Sequence, residues 1–162
     1  MVLGSACASS AAAQVTQAAV YDILDAVKTR LEAITGAPTV VVRKRLILLE
    51  TDTLPVIVLA PAESSQTIRF RVFGKAAYQY NIGVALVEAG NRQFVAGTED
   101  SLDLQQAIRD ALTGVLLSGT DVWDTDISTN EAVMMPVDGN AQNYQISTFI
   151  ATYSTLENVT RI

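Results

Sequence analysis

Between Tyr78 and Glu88 the sequence YQYNIGVALVE alternates: Tyr80, Ile82, Val84 and Leu86 form one apolar set, and Gln79, Asn81 and Gly83 stand between them. Side chains on a strand point to opposite faces at every second residue, so this stretch fits a sheet covered on one side and does not fit a helix. IRFRVF repeats the pattern, with Ile68, Phe70 and Val72 set against Arg69 and Arg71. The turn Glu88-Ala89-Gly90-Asn91 closes the longer strand.

Such a sheet needs a cover, and two helical stripes are available. Val20, Leu24, Val27, Leu31 and Ile34 recur at helical spacing within about 13–35, while Asp22, Asp25, Lys28 and Glu32 fall off the stripe. Gly36 suits the position after a helix end, and Pro38 prevents continuation. A second helix is predicted over about 100–117, with Asp100 or Ser101 as N-cap, Asp103 near the positive N-terminus, and Leu104, Ile108, Ala111, Leu112 and Val115 as its buried stripe; Gly119 ends it. Strand-like runs at about 40–49, 55–60, 67–73 and 77–88 lie between the helices, and two more at about 121–135 and 142–156 flank the hairpin signal Asp138-Gly139. The predicted order is α-β-β-β-β-α-β-β, an α+β class with two helices packed on one face of a mostly antiparallel sheet. The expected organisation is a flexible Ala/Ser-rich N-terminal arm over 1–12 and a single domain over 13–162.

The chain offers little chemistry. It has no histidine, which excludes Ser-His-Asp and Cys-His catalysis and histidine metal sites. Cys7 is the only cysteine and can form no intrachain disulfide. Neither a phosphate-binding G-x-x-x-x-G-K-[ST] nor a G-x-G-x-x-G after a strand is present. Asp124, Asp126, Ser128 and Asn130 imitate the start of a calcium loop, but Thr129 stands where Gly is required and Met135 where Glu is required. Asn158-Val159-Thr160 matches a glycosylation acceptor only formally. No catalytic residue, metal or cofactor is expected.

Apolar residues make up 49% of the chain and mean hydropathy is +0.28, so some apolar surface is expected to be buried against partners. A membrane span is not expected: the longest candidate, TVVVRKRLILLETDTLPVIVLAP, is cut by Arg43, Lys44 and Arg45. Charge is divided unevenly. Up to Arg92 there are nine Lys/Arg against seven Asp/Glu, and from Phe94 onward two against ten. Acidic solvating loops account for this in one reading, and pairing between the basic half of one copy and the acidic half of another in a second. If 40–49 is a strand, Arg43 and Arg45 share a face with Val41 and Ile47, and Lys44 lies opposite. Arg43, Lys44 and Arg45 are then candidate subunit-interface residues facing Asp124 and Asp126 of a neighbour; protection of a sheet edge and DNA contact are the alternatives.

Five segments together resemble the tail terminator, or tail-completion, proteins of long-tailed bacteriophages: VYDILDAVKTRLEAITG, LPVIVLAP, YQYNIGVALVE, DLQQAIRDALTGVL and YQISTFIATYSTLE. The resemblance covers about 13–156, and the Ala/Ser-rich leader departs from it. It implies a virion protein of the neck, a homo-oligomeric ring commonly of six subunits. That ring caps the tail tube protein, joins it to the head-tail connector, and carries no catalytic residues. DNA is expected to pass without specific binding, with some of Asp121, Asp124, Asp126 and Glu131 facing the lumen, where carboxylates repel phosphates. The arm 1–12, a 61–67 loop and a 135–143 hairpin tip are expected to contact other proteins. Another neck component, such as a head-completion or connector-adaptor protein, is an alternative. A small enzyme using only Asp121, Asp124 and Asp126 as acid and base is a third. From the chemistry of the chain, calorimetric titration with Ca²⁺, Mg²⁺ or Zn²⁺ should give no stoichiometric binding; one equivalent bound through the Asp124 segment would overturn this.

Overall fold

The computed structural model of the chain describes residues 19–72, 74–89, 98–113, 117, 119–130 and 144–158. Its elements are α1 (Ala19–Glu32), β1 (Thr39–Val42), β2 (Val56–Val72), β3 (Lys75–Ala89), α2 (Thr98–Leu112), β4 (Val122–Asn130) and β5 (Tyr144–Asn158). The strands form one sheet in the order β1-β2-β3-β5-β4. Neighbours are antiparallel except β1 and β2, which run parallel from Thr39↔Val56 to Val42↔Leu59. The class is α+β with a mostly antiparallel sheet, as the alternation of apolar and polar residues predicts.

The strand with the clearest alternation occupies the centre. β3 pairs with β5 from Lys75↔Asn158 to Ala89↔Tyr144, and with β2 from Val72↔Lys75 to Val56↔Val87. Tyr80, Ile82, Val84 and Leu86 are buried on one face beside Ile57 and Leu59 of β2 and Phe149, Ala151 and Tyr153 of β5. Ile23, Leu24, Val27 and Leu31 of α1 and Ile108 and Leu112 of α2 join the same cluster. Both helices therefore cover the face that the even-numbered residues of β3 define. Gly36 lies four residues past the end of α1 rather than at its C′ position: it sits in a turn that the Ala37 N–H closes on the Ile34 carbonyl at 3.0 Å, and its φ of 74° is the left-handed conformation that glycine adopts at low cost.

Three expectations need correction. α2 begins at Thr98, so Asp100 and Ser101 lie inside it rather than at its cap, and it ends at Leu112, short of 117. Thr113 already turns its hydroxyl to the Arg109 carbonyl at 2.6 Å, and Gly114 follows in sequence, where a helix interior would cost about 1 kcal/mol relative to alanine. The runs 55–60 and 67–73 belong to one 17-residue strand, β2, so three strands rather than four separate the helices. The register shifts between Pro61 and Gln66, which absorbs the polar PAESS stretch as a bulge in the strand; 61–67 is not a loop.

The run 40–49 is likewise not one strand. β1 stops at Val42, and the Arg43 N–H makes one further bond, to the Leu59 carbonyl at 2.8 Å. Parallel neighbours cannot be joined by a tight turn, because the chain must return the length of the pair before entering the second strand. Residues 43–55 make that return, so the alternation placing Arg43 and Arg45 on one strand face does not exist.

Packing in this core yields a contrast of substitutions. Ile82, fully buried at the centre of β3, should cost about 2–5 kcal/mol when changed to Ala. Tyr153 is also buried, but its hydroxyl has no hydrogen-bond partner among the described residues, and burial pushes its ionisation upward. Tyr153→Phe removes that hydroxyl and should leave stability unchanged or raise it by up to about 1 kcal/mol. Urea unfolding checks both; a loss above about 2 kcal/mol for Tyr153→Phe would show that the phenol has a partner.

Candidate functional site

The second face of the sheet, away from the helices, is divided in two. Toward one end Val56, Val58, Ala85 and Val87 form an apolar cluster, and Leu48 and Leu54 from the 43–55 return lie on it with Tyr144 and Ile146 of β5. Leu46 rests over Gly83, where an added Cβ would meet its Cδ1 at 2.8 Å. Glycine there lets the return settle against the strand. Arg43 fixes its course: Nη1 donates to Asp52 Oδ2 at 2.7 Å and to the Ile47 carbonyl, and Nη2 donates to Asp52 Oδ1. Asp52 also accepts from the Leu49 N–H at 2.8 Å, and its own N–H donates to the Leu49 carbonyl at 3.0 Å.

This two-pronged pair is a staple inside the loop. Only 17% of the Arg43 side chain and 8% of the Asp52 side chain are exposed. The guanidinium hydrogen bond holds the Asp52 carboxyl below the usual carboxylate range, and the same bond raises Arg43. Arg43 therefore has a partner within its own chain, unlike the neighbours with which it was grouped. Lys44 and Arg45 are exposed and form no ion pair among the described residues. Leu46, Ile47 and Leu49, together with Val42 at the end of β1, are exposed apolar side chains beside them.

At its other end the second face is polar. A register shift between Val122 and Asp124 keeps Val122 in the core and sets Asp124 opposite Ser154 and Asp126 opposite Thr152. Trp123, Asp124 and Asp126 border a groove of about 340 Å³ that Tyr78, Gln79 and Asn81 of β3 also line. Thr152 Oγ1 donates to Asn81 Oδ1 at 2.9 Å across its floor. The indole is 56% exposed. Both aspartates are exposed and without an ion pair among the described residues.

Asp121 is not part of that groove. It lines another, of about 540 Å³, with Asp22 at the start of α1 and Glu157 near the end of β5. Glu157 Oε1 accepts from the Tyr80 hydroxyl at 2.6 Å and from Thr155 Oγ1 at 2.8 Å. The acid and base suggested for a carboxylate enzyme are thus distributed over two grooves. Among the described residues no group of three His, Cys, Asp or Glu is placed to hold a metal, and no helix is long and apolar enough to cross a membrane. Glu131, the arm 1–12 and the 135–143 tip lie outside the described residues.

No protein-family model and no curated protein matches the chain. What these surfaces can do follows from their own chemistry. One bears cations and the other carboxylates that form no ion pair among the described residues, the first beside aliphatic side chains and the second beside an indole. Sequence reasoning missed Trp123 and the Asp52 partner of Arg43. The signal for the second was present in the TDT turn, since Glu50 and Asp52 are the carboxylates next in sequence after the three cations.

The staple has a pH dependence of fixed sign. Because the folded-state pKa of Asp52 is lowered, its contribution is complete above the ordinary carboxylate range and is lost as pH falls below about 4. Hydrogen exchange should show amides of 43–55 losing protection in acid before those of β3 and β5. Asp52→Asn should produce the same loosening at neutral pH, with about 1–3 kcal/mol of local stability lost. Unchanged exchange in the Asn variant would show that apolar packing alone holds the loop.

Proposed function

We propose that the chain is a structural subunit of a phage virion. In this reading it forms a ring, hexameric by its resemblance to tail terminator proteins, that closes the tail tube and joins it to the head-tail connector. The observation that carries the reading is the pair of surface patches of opposite charge that form no ion pair among the described residues, each next to exposed apolar side chains. Enzymes concentrate polar groups in one cleft, whereas assembling subunits distribute complementary patches over separate surfaces. In this reading 13–162 is a single domain; its described elements follow the order α-β-β-β-α-β-β with both helices on one face, and that α+β class is compatible with the proposal.

The partners in this reading are further copies of the chain, the tail tube protein and the connector, and DNA passes through the ring without specific contact. A carboxylate engaged with a neighbour's cation does not line a channel, so Asp121 is the lumen-facing candidate among the described residues, and Asp124 and Asp126 belong to a subunit contact. Cryo-electron microscopy of virions carrying an epitope-tagged chain should place one ring of density at the tail's head-proximal end. Virions without the chain, or with it outside the neck, would overturn the reading. Tight, salt-sensitive binding of double-stranded DNA by the purified assembly would overturn the lumen assignment.

A further inference from the structure

The geometry points to a specific contact between two copies of this chain: the segment Lys44–Leu49 of one docks in the groove bordered by Trp123, Asp124 and Asp126 of the other. It rests on the reading of the chain as an assembling subunit, and it replaces the three-cation interface expected from sequence with one that leaves Arg43 out.

The groove has the chemistry of a receptor for a cationic side chain. The face of an indole attracts ammonium and guanidinium groups, and two carboxylates beside it accept their N–H donors. Neither Asp124 nor Asp126 finds a cation within the chain among the described residues. Lys44 and Arg45 supply the complement, being adjacent, exposed and themselves without an ion pair among the described residues. Charge alone gives a weak and screened attraction, so a stable contact also needs apolar burial. Exposed apolar groups stand beside each charged pair: Leu46, Ile47 and Leu49 on the segment, and Trp123 at the groove.

The segment is also held in shape before it binds. Arg43 and Asp52 tie the two ends of the return together, Arg43 holds the Ile47 carbonyl, and Leu46 is seated over Gly83. A pre-organised segment loses less conformational freedom on docking, which strengthens association without added contacts. This explains why one of the three adjacent cations is turned inward while the other two are exposed and form no ion pair among the described residues.

The test uses the full chain in analytical ultracentrifugation, with far-UV circular dichroism to confirm folding. Lys44→Glu with Arg45→Glu should weaken self-association by about tenfold or more, and Asp124→Lys with Asp126→Lys should do the same. Combining all four should return it to within about threefold of the parent, because the reversed charges again face one another. Trp123→Ala should weaken association with the circular dichroism unchanged, and Arg109→Glu, which reverses an exposed cation on α2 at the opposite face of the sheet, should not. If the paired reversals associate like the parent, or if the fourfold variant fails to recover, the contact is wrong while a ring built otherwise still stands. If the parent stops at a dimer and the reversals behave as expected, the contact stands and the ring reading falls. A parent that stays monomeric overturns both.

Discussion

Every other part of the sheet takes its place from β3. Because the strand is hydrogen-bonded to β2 on one side and to β5 on the other, it has no free edge, and its two faces are all it can present. The even-numbered face is apolar from Tyr80 to Leu86 and must be covered; α1 and α2 do so with side chains that are almost fully buried. Each large aliphatic side chain removed from water there contributes about 1.5–3 kcal/mol, which directional contacts at the surface do not match. The odd-numbered face is mixed. Ala85 and Val87 call for cover, Gln79 and Asn81 do not, and Gly83 lies between the two regions.

That division determines where the chain between β1 and β2 can go. A return over the helical face would have to displace packed helices, whereas the apolar half of the second face is open to Leu48 and Leu54. Ordering a stretch of this length is opposed by about 1–2 kcal/mol per residue of backbone entropy, so contacts at one point would not suffice. The leucines supply apolar burial along the stretch, and the Arg43–Asp52 pair supplies direction by tying its start to a point near its end. A polar pair with little exposure loses solvation and recovers it only through good geometry and added hydrogen bonds, so its net contribution to stability is small even where its direction is well defined. Here it fixes which residues of an apolar, cation-bearing loop turn inward.

Periodicity made some of this legible and left some hidden, for physical reasons. The stripe of α1 and the alternation of β3 are readable because each residue's environment follows from its own element, and the structure adds to the helix stripe the buried Ile23 and the partly buried Ala19 and Ala26. The end of β1 was not readable from the 40–49 run, whose composition suits a strand throughout. It stops because its neighbour is parallel, and that is a property of the sheet. The unity of β2 was hidden by Pro61 and the polar residues after it, which read as a loop unless the pairing with β3 continues beyond them. At the candidate surface, Asp124 and Asp126 were recognisable from their spacing of two. Trp123 became part of the same groove only through the bulge beside it.

The contact proposed between Lys44 and Arg45 of one copy and Trp123, Asp124 and Asp126 of another has a charged part and an apolar part. Salt acts on the first, because the Debye length is about 8 Å at physiological ionic strength and shortens further as salt rises. The charged part of the contact sets orientation and the rate of encounter, and weakens in salt, while the indole and the leucines keep their contribution. In the proposed contact, charge would select the partner at long range and apolar burial would hold it at short range, a division that suits a subunit required to find one register and then remain in place.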